Sequence, residues 1–408
     1  MARMNISRIW NSCSTRRAPL TFFKTKLLPP SCLLQRHYTT VMGIETSCDD
    51  TGVAIVDDQG RLLGDALQSQ SSIHKPLGWG IHPVTAAQLH ERNIHAVVQS
   101  ALHKSNLKIE DIHTIATTVG PGLAFSLNVG LDYSKKLLQQ HNKRFIAVHH
   151  MAAHALTVRM LNPIEFPYLV LLVSGGHCIL AVVNGPCEFY RLGSTLDDAP
   201  GEVFDKVART LELHTHPEVG DIAGGRAIEI VAKLGDEKAF KLPHIMAGVR
   251  NCNFSFAGFK SAVNAHLKRV SFASLSDWDQ QKMTIAANMA ASFQYYLTWH
   301  IAKRVRRALV FCKTFNPKCR TLVISGGVAC NNYIRNELDK CATAFGFQLA
   351  CPPPYLCTDN GIMIAWAGVE HLKSNTATIL NPQSVIYQPK WPLGVDLSDR
   401  VAKSNIKV

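Results

Sequence analysis

The chain has 408 residues, 47% hydrophobic and 18% charged, with a formal net charge of +13. At about 150 residues per domain this length suits two domains, and the composition excludes wholesale disorder. No run of about 18 apolar residues occurs, so no spanning helix and no membrane partner are expected.

The positive charge is uneven. Residues 1–40 carry Arg3, Arg8, Arg16, Arg17, Lys24, Lys26 and Arg36, no Asp or Glu, and many hydroxyl side chains. With Trp10, Leu20, Phe22, Phe23, Leu27 and Leu28 supplying the apolar component, this segment reads as a mitochondrial transit peptide and predicts a matrix location. A basic arm that binds nucleic acid in place is the other reading. The rest of the chain is only mildly basic. The 12 cysteines include no C-x-x-C pair, so free thiols in a reducing compartment are expected, without a zinc ribbon or a disulfide framework.

The folded part is expected to open at Val41. Val41–Glu45 and Gly52–Val56 read as strands around a polar turn, and Arg61 starts a third strand. Thr85 to about His103 is predicted helical, with Ala86, Leu89, Ile94, Val97 and Ala101 on one face. Ile112–Val119 reads as a strand and Leu127–Gln140 as a helix. The pattern then restarts: Tyr168–Val173 is a strand, Ser174-Gly175-Gly176-His177 a tight turn, and Cys178–Val183 the returning strand. A long helix is predicted over Lys282–Cys312. Its basic end, Lys303, Arg304, Arg306 and Arg307, is expected to be solvated and to complement the helix dipole. Thr321–Ile324 is a strand, Ser325-Gly326-Gly327 a turn, and Asn331–Lys340 a helix. Two meanders with glycine-bearing loops predict two related lobes facing a cleft.

Three constellations carry chemistry. Ser174-Gly175-Gly176 and Ser325-Gly326-Gly327 each follow an apolar strand, and glycine lets backbone N–H groups approach phosphate oxygens. Neither is followed by the G-K-[ST] of a Walker loop. His150 and His154 stand at i and i+4, one face of a helix, where two imidazoles can hold one metal if a third ligand comes from elsewhere. An ordinary pair of helix histidines has the same spacing. His149 is expected to point elsewhere and to support the ligands. Met151 occupies the general-base position of a zincin motif, which counts against a metalloprotease. Asp197, Asp198, Glu202 and Asp205 form an acidic segment. Asp197 or Asp198, and separately Asp359, also suit helix N-caps.

Together these segments resemble the tRNA threonylcarbamoyladenosine transferases of the TsaD type, in their mitochondrial branch. The matching segments are Gly43 to Thr51, His150 to His154, Val173 to His177, Asp197 to Lys206, Phe254 to Lys260, Ser325 to Asn331, and Cys357 to Gly361. They run in family order over residues 41–370. Asn253 departs from a common Asp. The resemblance implies an α/β fold of two ASKHA lobes, of the actin, Hsp70 and sugar-kinase topology, with the active site in the cleft between them. The first lobe is expected over 41–148, completed by about 360–390; the second over 149–359; and a C-terminal tail over 391–408.

The resemblance further implies that His150, His154 and Asp359 hold one divalent metal, for which the ligand set suits zinc, iron(II) or manganese. It places threonylcarbamoyl-AMP against Leu172, Val173, Ser174, Gly175, Gly176, Asp205, Cys330 and Asn331, with Gly225 and Glu229 added from the mitochondrial-type segment Gly224–Glu229. The implied reaction moves threonylcarbamoyl to N6 of the adenosine 3′-adjacent to the anticodon in tRNAs decoding ANN codons, releasing AMP. The implied partners are tRNA, a separate synthase that supplies threonylcarbamoyl-AMP, and a second copy of the chain. An ASKHA kinase or ATPase would share the glycine loops without needing the two histidines and the aspartate. A non-catalytic nucleic-acid-binding role is the remaining alternative.

Overall fold

Two sheets with the same strand order organise the chain. The computed structural model describes residues 39–74, 81–376 and 382–408. The transit-peptide expectation therefore falls almost wholly outside the described residues. β1 (Thr40–Glu45), β2 (Asp50–Asp57) and β3 (Leu62–Ser69) form the expected meander, followed by the short α1 (Ser71–His74). Then come α2 (Pro83–Ser105), β4 (Thr114–Gly120), α3 (Ala124–His141) and β5 (Arg144–His149). The first sheet has the order β3-β2-β1-β4-β5, with β2 antiparallel to β1 and β3, and β4 parallel to β1 and β5.

α4 (His150–Leu156) and α5 (Val158–Leu161) lead into β6 (Tyr168–Val173), β7 (Cys178–Gly185) and β8 (Glu188–Ser194). The helical block α6 (Pro200–Thr210), α7 (Gly224–Ala232), α8 (Ala257–Arg269) and α9 (Gln280–Phe315) follows. β9 (Thr321–Ser325), α10 (Asn332–Ala344), β10 (Gln348–Ala350) and α11 (Pro354–Cys357) complete this half. The second sheet runs β10-β9-β6-β7-β8-β11, where β11 is Val395–Asp396, and read from β8 to β10 its strands repeat the order of the first sheet. This duplication is the two-lobed ASKHA arrangement that the resemblance implied.

α12 (Gly361–Lys373) is buried from Gly361 through Glu370. Its apolar residues pack with Val41, Ala54, Val56, Ala116 and Val148 of the first sheet. A helix apolar all round suits a central, enclosed position. The approach to β1 and β2 is close enough that a Cβ at Gly361 would lie 2.5 Å from the Ala54 nitrogen, and a Cβ at Gly43 would strike the Ala365 backbone. Gly43→Ala is therefore expected to cost about 1–3 kcal/mol through overpacking, read as a lower urea midpoint. An unchanged midpoint would contradict this contact.

Residues 391–408, expected as a tail, supply β11 (Val395–Asp396) and α13 (Ser398–Lys403). β11 pairs in parallel with β8, and Val401 enters the core of the second lobe.

The basic end of α9 corrects the sequence expectation. Arg304 and Arg307 are among the most deeply buried side chains, and only Arg306 of the four is exposed. Arg304 donates to the carbonyls of Asn253, His300, Ile245 and Met246, and Arg307 to those of Asn251 and Ile406. The irregular segment 245–253 has carbonyls that no ladder satisfies. Guanidinium groups offer several donors each and pair with them inside the core. The ten cysteines of the described residues are free thiols, as expected. Among the described residues no helix is long and apolar enough to cross a membrane.

Candidate metal centre and substrate cavity

α4 places its two histidines by starting immediately after β5. His149 is its N-cap: Nδ1 accepts from the backbone N–H groups of Met151 (3.1 Å) and Ala152 (3.4 Å). Its Nε2 donates to the Trp391 carbonyl at 3.0 Å. Burial lowers the His149 pKa to about 4, which keeps the ring neutral and Nδ1 an acceptor. The supporting role expected for His149 thus takes the form of a helix cap.

His150 and His154 follow on one face, with ring centroids 4.8 Å apart at 87°. Asp359 comes from the turn before α12. Its Oδ1 lies 3.0 Å from His154 Nε2 and 3.5 Å from His150 Nε2. Asp359 does not cap α12. Asn360 does, accepting from the Met363 N–H at 2.9 Å, and this leaves the neighbouring carboxylate for the histidines. Asp197 and Asp198 do not cap α6 either, because that helix opens on Pro200. Asp197 instead holds the start of α8, accepting from Phe256 N–H at 2.7 Å and Ser255 Oγ at 2.5 Å.

The donor set fits a divalent cation. The three ligand atoms lie within 4.8 Å of one another. Ligands about 2.0–2.1 Å from a tetrahedral ion stand roughly 3.3 Å apart, close to the separations from Asp359 Oδ1 to the two rings. Two imidazoles and one carboxylate leave a bound dication net positive with open positions.

Glu45 completes the centre, and sequence reasoning gave it no role. Fully buried at the end of β1, it accepts from Thr118 Oγ1 and Ser47 N–H, each at 2.5 Å, and faces His150 Nδ1 at 3.2 Å. This contact fixes the ring so that Nε2 points at Asp359. Burial opposes the Glu45 charge, but His150 outweighs it and lowers the pKa. Burial likewise works against an Asp359 anion, yet the His150 charge and the His154 hydrogen bond hold its carboxyl well below the usual carboxylate range. For His150, burial favours the neutral ring, while Asp359 and Glu45 raise its pKa to about 9.

A cation at Nε2 must displace the His150 proton. Metal affinity is therefore expected to rise about tenfold per pH unit across roughly pH 6 to 8 and to level off near the His150 value. Calorimetry in buffers of different ionisation enthalpy would show a proton released on binding. Affinity independent of pH in this range would contradict the arrangement.

Beside the centre lies a cavity of about 360 Å³ lined by Gly175, Asp205, Gly225, Glu229, Cys330 and Asn331, with Thr358 leading directly to Asp359. The structure therefore brings these six expected residues together. Gly327, of the turn Ser325-Gly326-Gly327, and Arg226, within Gly224–Glu229, also line it although the sequence assigned them no contact. Leu172 and Val173 keep their side chains in the core. Ser174 shapes the turn: its Oγ accepts from the N–H groups of Gly176 (3.3 Å) and His177 (3.1 Å). Burial raises the Asp205 pKa.

Glu229 and Asn331 are already engaged. The Glu229 carboxylate accepts from the Asn332 backbone and side chain, both at 3.0 Å, and also from Arg226 at 2.5 Å. Asn331 caps α10 and donates to Gln294 Oε1 at 2.8 Å. Both brace the cavity wall, and Arg226 brings positive charge to it. Asn253, the departure noted in sequence, accepts from Ser194 N–H at 3.1 Å and ties β8 to the start of α8.

A family model described as TsaD, tRNA N6-adenosine threonylcarbamoyltransferase, matches residues 61–366. A relative from Danio rerio, named mitochondrial tRNA N6-adenosine threonylcarbamoyltransferase, is 48% identical over 90% of this chain and 91% of its own. A relative of the same name from Homo sapiens is 47% identical over 90% of this chain and 89% of its own. Among solved structures, HypF of T. kodakarensis is 14% identical and matches with a TM-score of 0.51 over 83% of this chain and 48% of its own, a likeness of fold alone. The chain belongs to the TsaD family of tRNA N6-adenosine threonylcarbamoyltransferases.

Proposed function

We propose that this protein transfers threonylcarbamoyl from threonylcarbamoyl-AMP to N6 of the adenosine 3′-adjacent to the anticodon in mitochondrial tRNAs decoding ANN codons. The observation that carries this reading is the convergence of His150 Nε2, His154 Nε2 and Asp359 Oδ1 at the edge of a glycine-lined cavity. His150, His154 and Asp359 would hold a divalent cation, as zinc, iron(II) or manganese, which would supply positive charge to the anhydride.

The protein's own groups then position the reactants. Gly175, Gly225 and Gly327 line the cavity, and where a glycine stands the backbone can lie close to an anionic group. Asp205 offers an acceptor to ribose hydroxyls. Arg226, steadied by Glu229, adds positive charge where AMP leaves. The adenosine N6 forms a bond to the carbamoyl carbon, the carbon–oxygen bond to phosphate breaks, AMP departs as the anion, and the N6 proton passes to the departing phosphate or to solvent. The N6 lone pair is delocalised into the purine, so orientation supplies much of the acceleration.

A separate synthase makes the acyl-adenylate, the chain works as a homodimer in the mitochondrial matrix, and residues 1–40 direct it there. The names of the mitochondrial relatives support that location. The test is tRNA-dependent release of AMP by the metal-loaded chain given threonylcarbamoyl-AMP. AMP appearing in proportion to modified tRNA is expected. ADP made from ATP, with no AMP from the acyl-adenylate, would favour an ATPase.

A further inference from the structure

The turn Ser174–His177 separates two openings. Gly175 faces the cavity just described, whereas Gly176 and His177 line a second groove of about 290 Å³. The chain beyond α12 also lines that groove, with Lys390, Trp391 and Pro392, as do Pro121 and Arg191. We propose that this groove receives the acceptor RNA strand, with a base of the single-stranded loop against Trp391 and a phosphate at Lys390. The proposal rests on the acyl-transfer reading and assigns the second substrate its own entrance.

Three observations support it. First, Trp391 is half-buried and packs on His149 at 4.7 Å between ring centroids, while its carbonyl holds His149 Nε2. The aromatic wall is thereby locked to the residue that caps the metal-bearing helix. A rigid aromatic face with a cation beside it is the device by which proteins hold unpaired bases. Second, the cations facing the groove outnumber the anions. Lys390 is exposed, and Arg191 is balanced by Asp396 at 2.5 Å. His177 makes no side-chain hydrogen bond among the described residues, leaving it open to a base edge. Third, both openings share the glycine turn, and a Cβ at Gly175 or Gly176 would meet nothing within 4 Å. Substrates entering from the two sides would meet there.

The experiment compares Lys390→Glu, Trp391→Ala and Trp391→Phe in the full chain. It measures KM for unmodified tRNA and for threonylcarbamoyl-AMP, direct tRNA binding against salt, and metal content. Trp391→Ala should raise the tRNA KM roughly tenfold or more, Trp391→Phe should largely restore it, and the acyl-adenylate KM should hold. Lys390→Glu should weaken tRNA binding and flatten its log–log salt dependence by about 0.7, one single-strand phosphate contact. Binding and salt slope unchanged in Lys390→Glu would overturn the groove assignment, and so would an unchanged tRNA KM in Trp391→Ala. If Trp391→Ala loses metal, Lys390→Glu decides alone. A wild-type chain that binds tRNA but transfers nothing would sink the acyl-transfer reading, and direct binding would still judge the groove.

Discussion

Asp359→Asn is expected to leave a folded protein that binds metal at least about 100-fold more weakly and transfers threonylcarbamoyl about 10²–10³-fold more slowly. The fold should survive because Asn360, and not Asp359, caps α12. The carboxylate oxygen that faces both imidazoles would become an amide, which is a poor ligand and carries no charge. Asp359 is also the strongest charge favouring the His150 imidazolium, so the apo variant should lose its His150 proton at lower pH. Metal content by elemental analysis and a single-turnover rate check the two effects separately. Full metal occupancy with an unchanged rate would remove Asp359 from the centre.

Glu45→Gln carries the second large effect, although Glu45 faces the far nitrogen of the His150 ring. The carboxylate accepts from Thr118 Oγ1 and the Ser47 N–H and orients His150 through Nδ1. An amide cannot accept from all three, and its NH₂ would face a donor. Metal affinity should fall about 10–100-fold. Folding stability should fall by about 1–3 kcal/mol, because one buried donor loses its acceptor. Affinity measured on the folded protein, well below its unfolding midpoint, isolates the first effect. A change under about twofold would show that the Nδ1 contact does not tune the ligand.

The strands and helices were legible where apolar residues alternate or recur at helical spacing, as in Tyr168–Val173 and α2. The histidine pair was legible because i and i+4 share a helix face whatever the surroundings. Its meaning was not, since the partners come from far along the chain: Glu45 from the first meander and Asp359 from the turn before α12. His149 was read as pointing away from the metal ligands, but its cap on the helix it precedes shows only in the structure. Arg304 and Arg307 looked like a solvated helix end. Their burial depends on segment 245–253 and the C-terminus lying across α9, which periodicity along α9 does not encode. Glu229 and Asn331 were found by resemblance, and only the structure shows that they already hold α10 in place.

Single-turnover transfer of labelled threonylcarbamoyl from its AMP anhydride to unmodified ANN-decoding tRNA, by wild type and by His154→Ala, tests the centre and the reaction together. The account predicts label on the tRNA with equimolar AMP for wild type and near-complete loss for the variant, whose helix cap at His149 stays intact. Transfer by His154→Ala at the wild-type rate would contradict it, as would a metal-loaded wild type that binds both substrates and transfers nothing.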